Sequence, residues 1–366
     1  MSILRLLLAA TALVALQAPH PAPVQTFNRQ LRTSNGTLPA RLKLRWKYKT
    51  GGPVVSSAAV AGDRLFIGSG DKNVYALSLR DGHKLWAYKT KDTVDATPLA
   101  YGGSVYVGSA DGNLYCLNAA TGALRWKYRT DDKILGAATA VPAPGGKKTW
   151  VVVGSYDNKV HCVDAATGKG VWAYETENYI NGSPVVSGGR VIFGGCDGML
   201  HVVSLATGRK VREMEIGNYI AGTAALDGSL AYVGHYGNEV VCANVDTGKV
   251  VWTYKDREFP YFSSPAVTPD RVVIGGRDKQ VHCINRQTGK KVWSVRTRGK
   301  VDSSPVVCDG KVVVGSEDGK LYELDLATGR ELWTYPIGAP VMGSPVVASG
   351  LVLVGADDGL VYAFGP

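Results

Sequence analysis

No stretch of this sequence carries a helical period, which argues against a core built from helices. Long apolar runs are equally scarce. The single candidate, Ile3 to Ala18, is interrupted by Arg5 and is too short for a comfortable membrane span, so no transmembrane segment is expected. An apolar stretch that ends in small residues and prolines has the pattern of a secretory signal peptide. Residues 1–22 are read as that peptide, cleaved between Ala18 and Ala22, and the mature chain as periplasmic or secreted. No cysteine lies in this segment, which excludes lipid attachment of the bacterial lipoprotein kind. Residues 23–43, with Thr26, Asn28, Ser34, Asn35 and Gly36, have no periodicity either. They are expected to form a flexible linker whose removal as far as residue 40 is nearly harmless.

Acidic residues are outnumbered, with 31 Asp and Glu against 41 Lys and Arg and a net charge of +10. The basic residues are scattered, as at Lys47, Lys49, Lys89, Lys127 and Arg129. That spread describes a solvated surface, and no nucleic-acid partner is expected. Cysteine is sparse at six. In an exported chain these would suggest disulfides. Cys116, Cys162, Cys242 and Cys283, however, recur at one position of a repeat whose other copies hold Ala76, Val202, Glu323 and Ala363. A slot filled mostly by small apolar side chains is a buried strand position, where a thiol acts as a small hydrophobe. All six thiols, Cys196 and Cys308 included, are expected to be free.

Glycine, by contrast, is abundant, at 45 of 366 residues, and Val-rich runs are frequent. A repeat organises both. Thr-Gly recurs at 121–122, 167–168, 207–208, 247–248, 288–289 and 328–329, with Asp81-Gly82 as a variant. Five residues after each Thr, or after Asp81, stand Trp86, Trp126, Trp172, Arg212, Trp252, Trp293 and Trp333, and Trp46 opens the series. The spacings are 40, 40, 46, 40, 40, 41 and 40 residues. Units of this size cannot bury their own apolar faces and must stack on their neighbours. Each unit reads as four strands joined by short Asp-Gly, Asp-Lys or Thr-Gly turns.

First-strand signals at Ser57-Ala58, Thr97-Pro98, Ala137-Ala138, Ser183-Pro184, Thr223-Ala224, Ser264-Pro265, Ser304-Pro305 and Ser344-Pro345 count eight units. The last unit stops at Pro366 with three strands, while Leu44–Thr50 is a fourth strand lacking its first three. The expected fold is therefore all-β: an eight-bladed β-propeller of four-stranded antiparallel blades over residues 44–366. The N-terminal strand closes the ring and hides two sheet edges.

The stretches Asp164 to Trp172 and Asp325 to Trp333 carry the Ala-x-Asp-x-x-Thr-Gly-x-x-x-Trp docking unit. Over residues 44–366 the chain thus resembles the pyrroloquinoline-quinone (PQQ) repeat family, and within it the non-enzymatic propellers of the outer-membrane barrel-assembly machinery. Quinoprotein dehydrogenases of that family hang long insertions over the channel and add an adjacent Cys-Cys pair, a calcium site and an aspartate base. Here the connections are short and no Cys-Cys pair exists. No catalytic residue, cofactor or metal is therefore expected. Asp95, Asn181 and Asp302, nine residues after their Trp positions, fall at the channel mouth as isolated polar groups. His161, His201 and His282 share a slot otherwise filled by Tyr75, Tyr115, Val241, Tyr322 and Tyr362, which reads as packing rather than metal ligation. Pro144-Gly145-Gly146-Lys147-Lys148 lacks the Ser or Thr of a phosphate-binding loop.

Departures from a regular repeat are where a site is built. The inter-blade loops and the second-to-third-strand turns should share one face. On it Tyr156, Tyr179, Tyr219, His235, Tyr236, Phe259, Tyr261 and Phe262 cluster between blades three and six, with Arg257 and Arg277 nearby. Equivalent slots elsewhere hold Gly70, Ala110, Pro53, Thr93, Lys300 and Pro340. Aromatic and Arg side chains are the composition of an interface core. The expected function is an exported, monomeric, non-catalytic scaffold with a protein or peptide partner, possible roles including envelope protein assembly. The alternative is a quinoprotein-related propeller with PQQ or another small ligand in its channel.

Overall fold

The computed structural model describes residues 27–28, 32–34, 36–39 and 41–366, so the expected signal peptide lies outside the described residues. Eight sheets form a ring of blades. Blade one consists of strands Ala59–Ala61, Arg64–Gly68, Asn73–Ser78 and Lys84–Lys89, and each later blade repeats that order. Within a blade the first strand lines the central channel and the fourth faces outward. Blade eight takes its fourth strand from the N-terminus. Lys43–Lys49 runs antiparallel to Leu360–Gly365, with Lys43 opposite Gly365 and Lys49 opposite Leu360. The fold is the eight-bladed propeller that the repeat predicts.

Six of the eight tryptophans cross to the next blade. The indole N–H groups of Trp46, Trp86, Trp126, Trp172, Trp252 and Trp293 donate to the carbonyls of Leu79, Ala119, Ala165, Leu205, Arg286 and Leu326, at 2.8 to 3.1 Å. The ring lies on the glycine of the neighbouring Thr-Gly or Asp-Gly turn. A Cβ on Gly122 would stand 2.7 Å from Trp86, and these glycines have φ between 68° and 76°. Only glycine meets both demands without strain.

The strand register explains the small slot. Cys116 lies opposite Trp126, Cys162 opposite Trp172 and Ala76 opposite Trp86, each followed by a β-bulge in the partner strand. The thiols in these slots are buried and unpaired, and burial pushes those of Cys162 and Cys283 up to about 12. The apolar core lies between blades, as in the cluster that joins Phe66, Ala76 and Trp86 of blade one to Val105, Val107 and Leu117 of blade two.

Blade seven has two extra strands on its inner edge. Thr33–Ser34 pairs in parallel with Val306–Cys308, and Phe27–Asn28 pairs with Thr33–Ser34. Leu38 and Leu42 are buried against Val306, Val347 and Phe364. The stretch read as a flexible linker is therefore packed on the propeller in its described part.

Candidate functional site

The inter-blade loops and second-to-third-strand turns do share one face, the upper face, because the backbone ties them together. In each blade a turn residue donates its N–H to the carbonyl of a loop residue: Gly70 to Pro53, Ala110 to Thr93, Tyr156 to Lys133, Cys196 to Tyr179, Tyr236 to Tyr219 and Arg277 to Pro260. Side chains at these slots and at the following channel-mouth slot are therefore neighbours.

From blade three to blade seven they form one connected ridge. Tyr156 stacks on Tyr179 at 5.0 Å between centroids and 14° between planes. The Tyr156 hydroxyl donates to Asn181 Oδ1 (2.9 Å), and Asn181 Nδ2 donates to the Ala221 carbonyl (3.0 Å). Tyr219 leans on Tyr236 at 6.2 Å, and Tyr236 on Phe262 at 5.4 Å. Arg277 lies over the Phe262 ring, 3.6 Å from its centroid, and clasps Asp302 through Nε (3.0 Å) and Nη2 (2.7 Å). Of the three expected channel-mouth groups, Asn181 and Asp302 are therefore tied into the ridge. Asp95 stands apart, with the Thr93 hydroxyl 3.2 Å away, and burial raises its carboxyl.

Tyr179, Tyr219, Tyr236 and Phe259 are 47%, 51%, 51% and 48% exposed, and Arg257 is exposed beside Phe259. Two residues expected on this surface are not there: His235 and Tyr261 are each 2% exposed. Tyr261 packs edge-on against His282 at 5.3 Å and fills the space above Gly234. His235 Nδ1 accepts the Gly237 N–H at 3.0 Å, and burial lowers the ring's pKa despite Glu239 at 3.5 Å. Both support the ridge from below.

The shared His and Tyr slot is a packing device. The ring four residues after each turn aspartate bonds that aspartate: Tyr75 to Asp71 (2.5 Å), Tyr115 to Asp111 (2.7 Å), His161 to Asp157 (2.9 Å), His201 to Asp197 (2.8 Å) and His282 to Asp278 (3.1 Å). Asp256, Asp278 and His282 lie close enough together to suggest a cation. His282 Nδ1 already has the Tyr254 hydroxyl at 3.0 Å, and Lys291 supplies a positive charge 3.0 Å from Asp256.

The channel is lined by a belt of hydroxyls. The backbone N–H groups of Ala137, Ser183, Thr223, Ser264 and Ser304 donate to the side-chain oxygens of Ser183, Thr223, Ser264, Ser304 and Ser344, each at 2.9 Å. A cavity of about 160 Å³ runs along this belt, and Arg32 forms part of its wall. The sequence reading missed Arg32, which lies outside the repeat.

Fold and site together define a class: a tryptophan-docked, closed propeller with short loops and aromatic side chains over half of one face. A family model described as "Beta-alanine-activating enzyme, beta-propeller" matches residues 94–325, and the chain belongs to that propeller family. A second model, described as outer membrane protein assembly factor BamB, matches residues 39–133. The chain is a PQQ-like propeller resembling BamB. No curated protein matches it. Among solved structures, BamB from Moraxella catarrhalis is 21% identical with a TM-score of 0.75, covering 89% of this chain and 100% of that one. The computationally designed Ika8 protein is 18% identical with a TM-score of 0.78, covering 88% and 99%. At these identities the likeness is one of fold.

Proposed function

We propose that this chain is an exported, non-catalytic scaffold that docks an extended polypeptide on its aromatic half-face during envelope protein assembly. The observation that carries this reading is the exposure of Tyr179, Tyr219, Tyr236 and Phe259 in one sector of an otherwise regular ring. Tyr179 rests on Tyr156, and Tyr236 on Phe262, which Arg277 covers. Rings already fixed from behind lose little rotamer freedom when a partner covers them, so more of the contact energy survives as affinity. Tyr156, Phe262 and Arg277 complete the surface, with Arg257 at its rim. The family description names the propeller of an enzyme. Support for a binding role comes from the face itself, and support for an envelope role from the likeness to an outer-membrane assembly factor and from the apolar Ile3–Ala18 stretch.

The test is capture of a partner from periplasmic extract by wild type, Tyr179→Ala and Tyr219→Ala, beside their melting curves. Truncating a true anchor is expected to weaken capture by about 2 kcal/mol or more with melting nearly unchanged. A large fall in melting temperature with capture intact would make these rings packing elements and end the proposal. Arg257→Glu is expected to weaken capture of an acidic partner in a salt-sensitive way.

A further inference from the structure

We propose that the channel along the inner edge of blade seven, with the groove between blades seven and eight, is a docking site for an extended, arginine-bearing peptide segment. The chain's own residues 32–34, 36–39 and 42 occupy it in this structure. This inference does not depend on the aromatic face.

Three features make it a built site. The first is strand addition. The innermost strand of each blade has one edge turned to the channel, and in blade seven Thr33 and Ser34 pair along that edge with Val307 and Cys308. The Val307 N–H donates to the Arg32 carbonyl at 3.0 Å. Adding a strand to an open edge is a general mode of peptide recognition.

The second is the guanidinium seat. Arg32 Nε donates to the Pro305 carbonyl at 2.8 Å, and Nη2 donates to those of Ser304 (3.0 Å) and Pro345 (3.3 Å). Carbonyls of two blades thus converge on one planar donor, a geometry that suits guanidinium better than ammonium.

The third is the floor of the groove. Glu323 is fully buried in the slot that other blades fill with Ala, Val or Cys. A carboxylate there is costly unless a cation meets it. Lys311 does so at 2.9 Å and also donates to the Pro39 carbonyl at 2.8 Å. Beside it the Leu38 N–H donates to Asp309 Oδ2 (3.3 Å), and the Cys308 thiol donates to the Gly36 carbonyl (3.0 Å). Leu38 and Leu42 then enter the same apolar cluster as Trp333. No Thr-Gly turn faces Trp333, because blade eight takes its fourth strand from Lys43–Lys49 and so has no third-to-fourth-strand turn.

The ligand class follows from these contacts. It is an extended segment with an arginine for the channel and, six residues later, a leucine for the groove. Covalent connection to the closing strand gives the resident segment a high effective concentration, so a free peptide competes poorly with it in the full chain.

The experiment uses a chain lacking residues 1–40, which keeps Leu42 and the closing strand, and a synthetic peptide of residues 27–40. The peptide is expected to bind the shortened chain at least about tenfold more tightly than the full chain. An Arg32→Ala peptide should bind at least about tenfold more weakly, the loss typical of a charged donor with several acceptors. Failure of the folded, shortened chain to bind, or equal binding of both peptides, overturns the proposal. Should the shortened chain not fold, labelling of Cys308 in the native full chain decides. Arg32→Ala and Leu38→Ala should speed its modification at least about tenfold while Cys116 stays protected. An unchanged rate would sink the proposal.

Discussion

Tyr261 and Tyr219 look alike in the sequence, since both are aromatic residues in inter-blade loops. Their positions in the repeat separate them. Val54, Val94, Ile134, Ile180, Ile220, Val301 and Val341 each pack where a Cβ would intrude on the glycine that ends a second strand, as at Gly68 and Gly108. A one-residue insertion after Trp252 slides Tyr261 into that anchor slot and Phe262 into the channel-mouth slot. Tyr261→Ala is therefore expected to cost about 3–5 kcal/mol in urea unfolding, as other large buried rings do. Tyr219→Ala should stay within about 1 kcal/mol, as surface substitutions do. Equal losses would make Tyr219 structural. The composition of the face was legible in the sequence, but which rings reach solvent was not, because exposure follows from slot and not from loop membership. Arg32 left no such trace. Its one clue was Glu323, a carboxylate in a small apolar slot, whose cation and covering segment lie 12 and about 285 residues away.

The blade interface is one device used repeatedly, so the place where its tryptophan is replaced is informative. Arg212 replaces the tryptophan of blade four. It reaches the Asp246 carbonyl at 3.1 Å and lies over Gly248, whose φ of 75° is still that of a docking glycine. The seat persists without its indole. Arg212→Trp is expected to stabilise by about 1 kcal/mol, or about 2 °C in a calorimetric melt. A lower melting temperature would mean that Val202, opposite Arg212 where most other blades place Ala or Cys, leaves the ring no room. A second coupled replacement occurs in blade five. Its turn carries Gly237 in place of aspartate, and the ring slot four residues on holds Val241, so donor and acceptor are lost together. The period in the sequence disclosed all of these elements, because each Trp, Gly and small residue recurs at a fixed offset.

At the scale of the molecule, the ring is held by Lys43–Lys49 and by the segment before it. Removing residues 1–51 deletes the closing strand with buried Trp46 and exposes an edge, and is expected to cost several kcal/mol. Removing residues 1–40 is expected to cost less, about 2 kcal/mol, chiefly through Leu38. The packing of Leu38 and of Thr33–Ser34 on the propeller motivates this expectation in place of a harmless deletion, and a melting curve identical to wild type would overturn it. Lack of periodicity misled there because a single non-repeated strap has no offset at which to recur.

The pairing of Lys43 with Gly365 also has a temporal side. In the strand pair that completes blade eight, Lys43 is synthesised 322 residues (365 − 43) ahead of Gly365. At about 5–20 residues per second the closing strand waits on the order of tens of seconds for that partner. During that interval seven blades can assemble in sequence from local hairpins while both ends of the growing arc stay open to other chains. The step that makes the molecule a ring is thus its most non-local contact, and it is the point at which crowding or a holding chaperone has the most influence on whether closure occurs within one chain or between two.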